Sequence, residues 1–329
     1  MNYTDNGKRV ENIKIAYIGG GSRGWARGLM SDLATEESMH GEVYLYDIDF
    51  EAAKSNETIG NMISAMDEAR GKWKYHAVET LKEALTGADF VVISILPGTF
   101  DEMESDVHAP EKFGIYQPVG DTTGPGGIIR ALRTVPMYKE FAEGIRDYCP
   151  DAWVINYTNP MTICVEALYK YFPGIKAFGC CHEVFGTQSL IADAFKEKTG
   201  LSITREEVNV NVIGINHFTW ITEAHYNNTD LFPIYADFVS GWYEKGYEHS
   251  DGNWLNNFFE CANRVKFDLF KRYGSIAAAG DRHLAEFCPG SWYLGSVENV
   301  RFWKFGLTPV LWRKNNLRDR IEYTKRLIR

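Results

Sequence analysis

Residues 14–24 read KIAYIGGGSRG, and the reading of this stretch decides the fold. Lys14 to Ile18 is a short apolar strand, Gly19, Gly21 and Gly24 make a G-x-G-x-x-G turn, and a helix is expected from Gly24 to Ala34. Glycines in such a turn let the backbone approach a pyrophosphate, which the following helix N-terminus stabilises. Ser22 lies inside the turn and is counted with it. A Gly-rich turn in an unrelated α/β domain would look the same, so context has to decide. The next apolar strand, Val43 to Tyr46, ends in Asp47 within YLYDID. A carboxylate there accepts hydrogen bonds from ribose hydroxyls and repels a 2′-phosphate, which favours NAD over NADP.

Outward from this unit the first half alternates strand and helix patterns. A helix is expected from Phe50 to Met66. The run FVVISIL, Phe90 to Leu96, has the continuous apolar character of a strand buried on both faces. Ile128 to Tyr148 reads as a long amphipathic helix, with short strands at Trp153 to Ile155 and Ile175 to Gly179. Strands separated by helices imply right-handed crossovers and a doubly wound parallel sheet, an α/β fold of Rossmann type. After about Val184 the texture changes: helices at Thr187 to Lys198 and Trp254 to Tyr273, and an alternating segment from Val208 to Trp220, predict a mixed α+β second lobe. The expected division is 1–184 for nucleotide binding and 185–329 for substrate and metal. The chain stops inside an amphipathic pattern, Ile321 to Arg329, with no cap or breaker, so the second lobe is expected to lack its C-terminal part.

A net charge of -9 excludes a nucleic-acid partner on electrostatic grounds. No apolar stretch precedes the first strand as a signal peptide would require, and Phe90 to Leu96 is far too short to span a bilayer. Six cysteines without regular spacing do not resemble a disulfide framework. A cytoplasmic, thiol-reduced protein with no membrane partner is the expectation.

The chemistry concentrates in GDTTGPGGI (Gly120 to Ile128), INYTNP (Ile155 to Pro160), GCCHEVFG (Gly179 to Gly186) and GINHFTW (Gly214 to Trp220). Asn-Pro alone is a turn former, a buried Cys is usually inert, and a lone His in an apolar stretch is usually a core residue. Together they say more. A thiolate and an imidazole, Cys181 and His217, make a borderline-soft metal site with room for substrate oxygens. Asn side chains at a strand end, Asn156 and Asn159, can read vicinal hydroxyls. A further segment, AAAGDRHLAEFCPG, crowds Asp281, Arg282, His283 and Glu286 beside small residues, which is either a solvated turn or a site with tuned pKa values.

These segments in order resemble glycoside hydrolase family 4. The likeness runs from the glycine turn through Asn-x-x-Asn-Pro (Asn156 to Pro160), Cys-His-Glu-Val (Cys181 to Val184) and Gly-x-Asn-His (Gly214 to His217) to Gly280-Asp281. It therefore covers nearly the whole chain. His182 stands where members acting on 6-phosphorylated sugars carry Asp, and the surrounding runs look closest to bacterial α-galacturonidases. The resemblance implies a lactate/malate dehydrogenase-like fold, NAD and Mn2+ or another divalent metal, and a homo-oligomer. The implied reaction starts with hydride removal at sugar carbon 3 and proton loss at carbon 2. Expulsion of the glycosidic oxygen, water addition and hydride return follow, with no net redox change. It also implies Cys181 and His217 as metal ligands and Asp281 as base, with Asp121, and after it His182, as acid for the leaving group. Asn156 and Asn159 would contact substrate and nicotinamide. A uronate carboxylate would need a bidentate cation, with Arg282, Arg130 and Arg133 as candidates. An α-glucosidase or α-galactosidase of the same family, a plain hydroxy-acid dehydrogenase, and a non-catalytic NAD-dependent sugar sensor are the alternatives.

Overall fold

The computed structural model describes residues 1–248 and 261–329. By internal contacts it forms two units, one of Met1–Phe100, Ala131–Cys180 and Leu311–Arg329, the other of Asp101–Arg130 and Cys181–Val310. Neither unit is one continuous stretch: relative to the expected division into 1–184 and 185–329, Asp101–Arg130 groups with the second unit and Leu311–Arg329 with the first.

The first unit begins with β1 (Asn2–Thr4), β2 (Arg9–Ile18), α1 (Trp25–Thr35), β3 (Met39–Tyr46), α2 (Phe50–Ser64), β4 (Trp73–Val78), α3 (Leu81–Leu85) and β5 (Phe90–Ile93). After α4 (Phe100–His108) the chain enters α5 (Gly124–Tyr148), inside which it returns to the first unit at Ala131. β6 (Trp153–Asn156), α6 (Met161–Tyr171) and β7 (Lys176–Gly179) complete the unit's sheet. The strand order is β4-β3-β2-β5-β6-β7 with every neighbouring pair parallel, and β1 pairs antiparallel with β2. Numbered as six successive parallel strands this is 3-2-1-4-5-6, the Rossmann order, with its switch point between β2 and β5.

β5 shows why the sheet is covered on both sides. Val91 and Ile93 pack into a cluster with Tyr138, Ala142 and Ile145 of α5, whereas Val92 faces Tyr17, Ala26 and Met30. The strand ends at Ile93, short of the expected Leu96, because the Ile95 N–H leaves the ladder for the Thr158 hydroxyl at 2.9 Å. β4 was not anticipated. It is an edge strand whose Trp73 and Tyr75 point inward between exposed lysines, so it lacks the continuous apolar run of a central strand.

The second unit is mixed α+β, as expected. It holds α7 (Glu183–Thr199), β8 (Asn209–Ile215), β9 (Phe218–Tyr226), β10 (Thr229–Asp230), α8 (Phe232–Trp242), α9 (Arg264–Tyr273), β11 (Ile276–Ala277), α10 (Asp281–Phe287), α11 (Gly290–Tyr293) and α12 (Val297–Phe302). β9 pairs antiparallel with β8, β10 and β11. The alternating segment from Val208 to Trp220 is thus a hairpin with Asn216 and His217 at its turn. The expected helix from Trp254 lies partly outside the described residues, and α9 begins at Arg264. The chain closes with α13 (Val310–Leu327). Among the described residues no helix is long and apolar enough to cross a membrane.

Candidate active site

In the first unit the glycine turn leaves the carboxyl end of β2. Gly19 has φ +94°, and a Cβ there would lie 2.1 Å from the Ser94 carbonyl oxygen. Gly20, which the motif does not single out, would meet the Leu45 backbone at 2.7 Å. The Gly21 N–H donates to Asp47 Oδ2 at 2.8 Å, and the Asp49 N–H donates to Oδ1 at 2.9 Å. Burial pushes the Asp47 carboxyl up, and these N–H groups oppose it. Ser22 Oγ accepts from the Trp25 N–H at 3.2 Å, at the start of α1. Asn56 on α2, absent from the sequence reading, is fully buried and donates to the Gly20 and Ser22 carbonyls at 2.7 and 2.9 Å. One amide side chain thus fixes the turn's carbonyls.

Asn156 ends β6 but does not reach outward. It is fully buried, its Oδ1 accepts from the Tyr138 hydroxyl and the Thr158 N–H, and its Nδ2 donates to the Thr158 carbonyl at 3.0 Å. It braces the turn that presents Asn159, which stays partly exposed. Arg133 is a half-buried side chain with Nε 3.5 Å from the Pro97 carbonyl.

The second unit gathers the ionisable groups. Cys181 and Glu183 flank His182 at the start of α7, and His217 sits in the β8–β9 turn. One donor atom from each of Cys181, Glu183 and His217 lies within 4.8 Å of the others, and Asp121, His217 and His283 form a second such trio. The Glu183 carboxylate, accepting from Asn216 Nδ2 at 3.1 Å and Thr219 Oγ1 at 2.9 Å, orients the hairpin turn. Its Oε2 and the Asn216 Oδ1 are buried without a hydrogen-bond partner. Two buried acceptor oxygens without partners, beside a thiol and an imidazole, can be satisfied by a cation, so the donor set fits a borderline divalent metal. Burial raises the Cys181 thiol and the Glu183 carboxyl. Cation binding would have to release the thiol proton.

His217 is pushed down to about 4 by burial, with Asp121 pulling the other way. His283 is lowered for the same reason and stacks on His217 with ring centroids 3.7 Å apart. Both imidazoles are therefore neutral near pH 7. Burial alone would raise Asp121, but His283, Arg130 and His217 outweigh it and hold the carboxyl below its usual range. With the imidazoles uncharged, the buried Arg130 is the lasting cation of that set. Glu286 goes the other way: burial pushes it up to about 8, although its Oε1 accepts the Val119 and Gly120 N–H groups at 2.7 and 2.8 Å.

Two expected site residues are placed elsewhere. Asp281 is fully buried, with Oδ2 accepting from the Val265 N–H at 3.2 Å and Oδ1 from the Lys266 N–H at 3.0 Å. It caps α9 through these bonds and is a member of neither group of clustered donor atoms. Arg282 spends its guanidinium on the Gly306 carbonyl at 3.0 Å, the Thr308 hydroxyl at 2.8 Å and the Pro118 carbonyl. It braces backbone. His182 is exposed at the N-cap of α7 and electrostatically lowers both imidazoles. Glu183, Thr122, His283 and Glu286 belong to the site and were not assigned from the sequence.

Comparisons with known proteins agree with this geometry. A family model described as family 4 glycosyl hydrolase matches residues 14–197, and one for the C-terminal domain of the same family matches residues 212–327. The chain is 64% identical over 329 residues to an alpha-galacturonidase of Thermoanaerobacterium saccharolyticum, covering 99% of this chain and 70% of that protein. A crystallographically solved Bacillus subtilis protein superposes with a TM-score of 0.91 at 57% identity, covering 97% of this chain and 72% of that one. A 6-phospho-alpha-glucosidase from gut microorganisms, solved with NAD and Mn2+, shares the fold at a TM-score of 0.71 and 22% identity, over 95% and 67% of the two chains.

Proposed function

We propose, for a chain that belongs to family 4 of the glycosyl hydrolases, that it hydrolyses α-galacturonides with NAD and a divalent cation, Mn2+ first among candidates. The observation that carries this reading is the convergence of Cys181, Glu183 and His217 within 4.8 Å in a chain so similar to an alpha-galacturonidase. When bound, NAD supplies a reversible hydride acceptor and the cation a Lewis acid for vicinal sugar oxygens, so hydrolysis needs no net redox change.

The chain's own residues divide the work. The turn at Gly19, Gly21, Ser22 and Gly24 offers backbone to the pyrophosphate, and Asp47 accepts from the ribose. Cys181 and His217 hold the cation, and Glu183 keeps the His217 turn in register through Asn216 and Thr219. Asp121, held ionised, suits a base better than the acid expected of it, and accepts a proton at a carboxylate oxygen. The exposed His182 then delivers a proton to the leaving oxygen. Arg282 being committed to backbone, Arg130 is the guanidinium assigned to the uronate carboxylate. Asn159 contacts substrate or nicotinamide. A homo-oligomer is part of the same reading, and sedimentation would count its copies.

The test is a panel of 4-nitrophenyl α-galacturonide, α-glucuronide, α-galactoside and α-glucoside with NAD+, Mn2+ and a thiol reductant. Fastest chromophore release from the galacturonide, without NADH accumulation, is the expected result. Net NADH formation would instead identify a dehydrogenase, and binding without turnover a sensor.

A further inference from the structure

We infer that Thr122 is a positioning residue that fixes the tautomer of His217, placing the proton on Nδ1 and leaving Nε2 as the metal-binding nitrogen. The inference deepens the proposed cation site and rests on that reading for its metal consequence, though not for the tautomer itself.

The argument is a count of hydrogens. Thr122 Oγ1 lies 2.8 Å from Asp121 Oδ1 and 3.1 Å from His217 Nδ1. A hydroxyl has one hydrogen to give, and an ionised carboxylate can only accept. Asp121 Oδ1 is the nearer partner of the Thr122 hydroxyl, and with the imidazoles neutral the buried Arg130 guanidinium is the lasting cation beside that carboxylate. The Thr122 hydrogen therefore goes to Asp121, and the Thr122 oxygen is left facing Nδ1 as an acceptor. Nδ1 must carry the imidazole's hydrogen to satisfy that contact, and a neutral ring then has its lone pair on Nε2. The chain carboxylate–hydroxyl–imidazole does what a direct carboxylate–imidazole bond does around many metal ions, with one hydroxyl interposed.

The surroundings keep Thr122 in place. Glu286 accepts the N–H groups of Val119 and Gly120. Gln117 ties the same loop down on both sides, its Nε2 donating to the Asp106 carbonyl at 2.7 Å and its Oε1 accepting the Gly126 N–H at 2.8 Å. A Cβ on Gly127 would meet the Thr122 carbonyl carbon at 2.6 Å, so the loop packs directly on the start of α5. The stacked His283 ring restricts rotation of the His217 plane. Thr122 sets the proton, and His283 sets the ring.

The tautomer is read directly by long-range 1H–15N correlation on the metal-free chain labelled at histidine, with the His217 signals identified by their loss in His217→Asn. A protonated Nδ1 and an unprotonated Nε2 are expected, and the reverse pattern overturns the inference. In Thr122→Val the proton should redistribute between the two nitrogens. The affinity for Mn2+ alone, followed by the electron paramagnetic resonance of the free ion, should fall about 10- to 100-fold, the usual range for an outer-shell change. Thr122→Ser, which keeps the hydroxyl, should restore both. Unchanged tautomer and affinity in the valine variant, or failure of the serine variant to restore them, would refute the relay. Failure of the site reading looks different: wild-type chain that takes up no Mn2+, or Cys181→Ser that takes it up equally well, removes the cation site whatever the spectrum shows.

Discussion

Glu286→Gln should abolish a steep loss of stability that the wild-type chain shows as pH rises from 5 to 8. The Glu286 carboxyl is pushed by burial from 4.5 to about 8, and its Oε2 has no hydrogen-bond partner. The folded state thus holds this proton more tightly than the unfolded chain does. The stabilisation is complete below about pH 4.5 and is lost as pH climbs through the folded value. The slope over that window is about 1.4 kcal/mol per pH unit, and the whole contribution is about 4 kcal/mol by pH 8. That is a large part of the 5–15 kcal/mol typical of a folded protein. Glutamine keeps a carbonyl oxygen for the Val119 and Gly120 N–H groups and cannot ionise. Its buried amide hydrogens replace a carboxylic O–H that was equally unpartnered, so the two chains should match within about 1–3 kcal/mol at pH 5. Urea unfolding at pH 5, 6, 7 and 8 measures the difference between them, in which the titration of Asp281, His217 and His283 largely cancels. The glutamine variant should become the more stable one by pH 8. Parallel decline of both chains across the range would show that Glu286 does not carry the proton, and the reasoning from its burial would fall.

Other substitutions separate the roles assigned above. Cys181→Ser should abolish hydrolysis and weaken Mn2+ binding by more than the roughly 10- to 100-fold typical of outer-shell changes, with NAD+ titration unaltered; equal turnover would end the metal assignment. Gly19→Ala forces a side chain to 2.1 Å from the Ser94 carbonyl oxygen at φ +94°, which should cost upward of about 3 kcal/mol and remove NAD+ binding. Retained cofactor affinity in that variant would mean the turn adapts. Asp281→Asn should cost about 1–3 kcal/mol of stability through lost charged hydrogen bonding at the α9 N-terminus, seen as a lower melting temperature, while Mn2+ and NAD+ still bind. A kcat collapse at unchanged melting temperature would return the base role to Asp281.

The fold was legible where the pattern is strong and local. A strand, a glycine turn, a helix and a carboxylate at the end of the next strand specify a Rossmann half, and β2, α1, β3 and Asp47 lie where that pattern puts them. What was not legible depended on partners distant in sequence. The end of β5 is decided by the Thr158 hydroxyl, and the glycine turn is held by Asn56, neither of which a local window contains. The interleaving of the units had no local signal either, since three of the chain's crossings between them fall inside helices, α4, α5 and α13.

The site shows the same limit in a form that helical geometry explains. The crowded run at residues 281–286 announced a site with shifted pKa values, and Asp281 and Glu286 have them. Which member faces which neighbour follows from the helix those residues form. At about 100° per residue, His283 and Glu286 lie about 60° apart, while Asp281 is at least about 140° from both. One face therefore presents His283 to His217 and Glu286 to the Val119–Gly120 backbone, and the opposite face turns Asp281 towards the start of α9. A motif aligned residue by residue ranks Asp281 first, because its place in Gly-Asp is the most distinctive. The period of the helix ranks the residues by direction, and direction decides which carboxylate can meet a substrate.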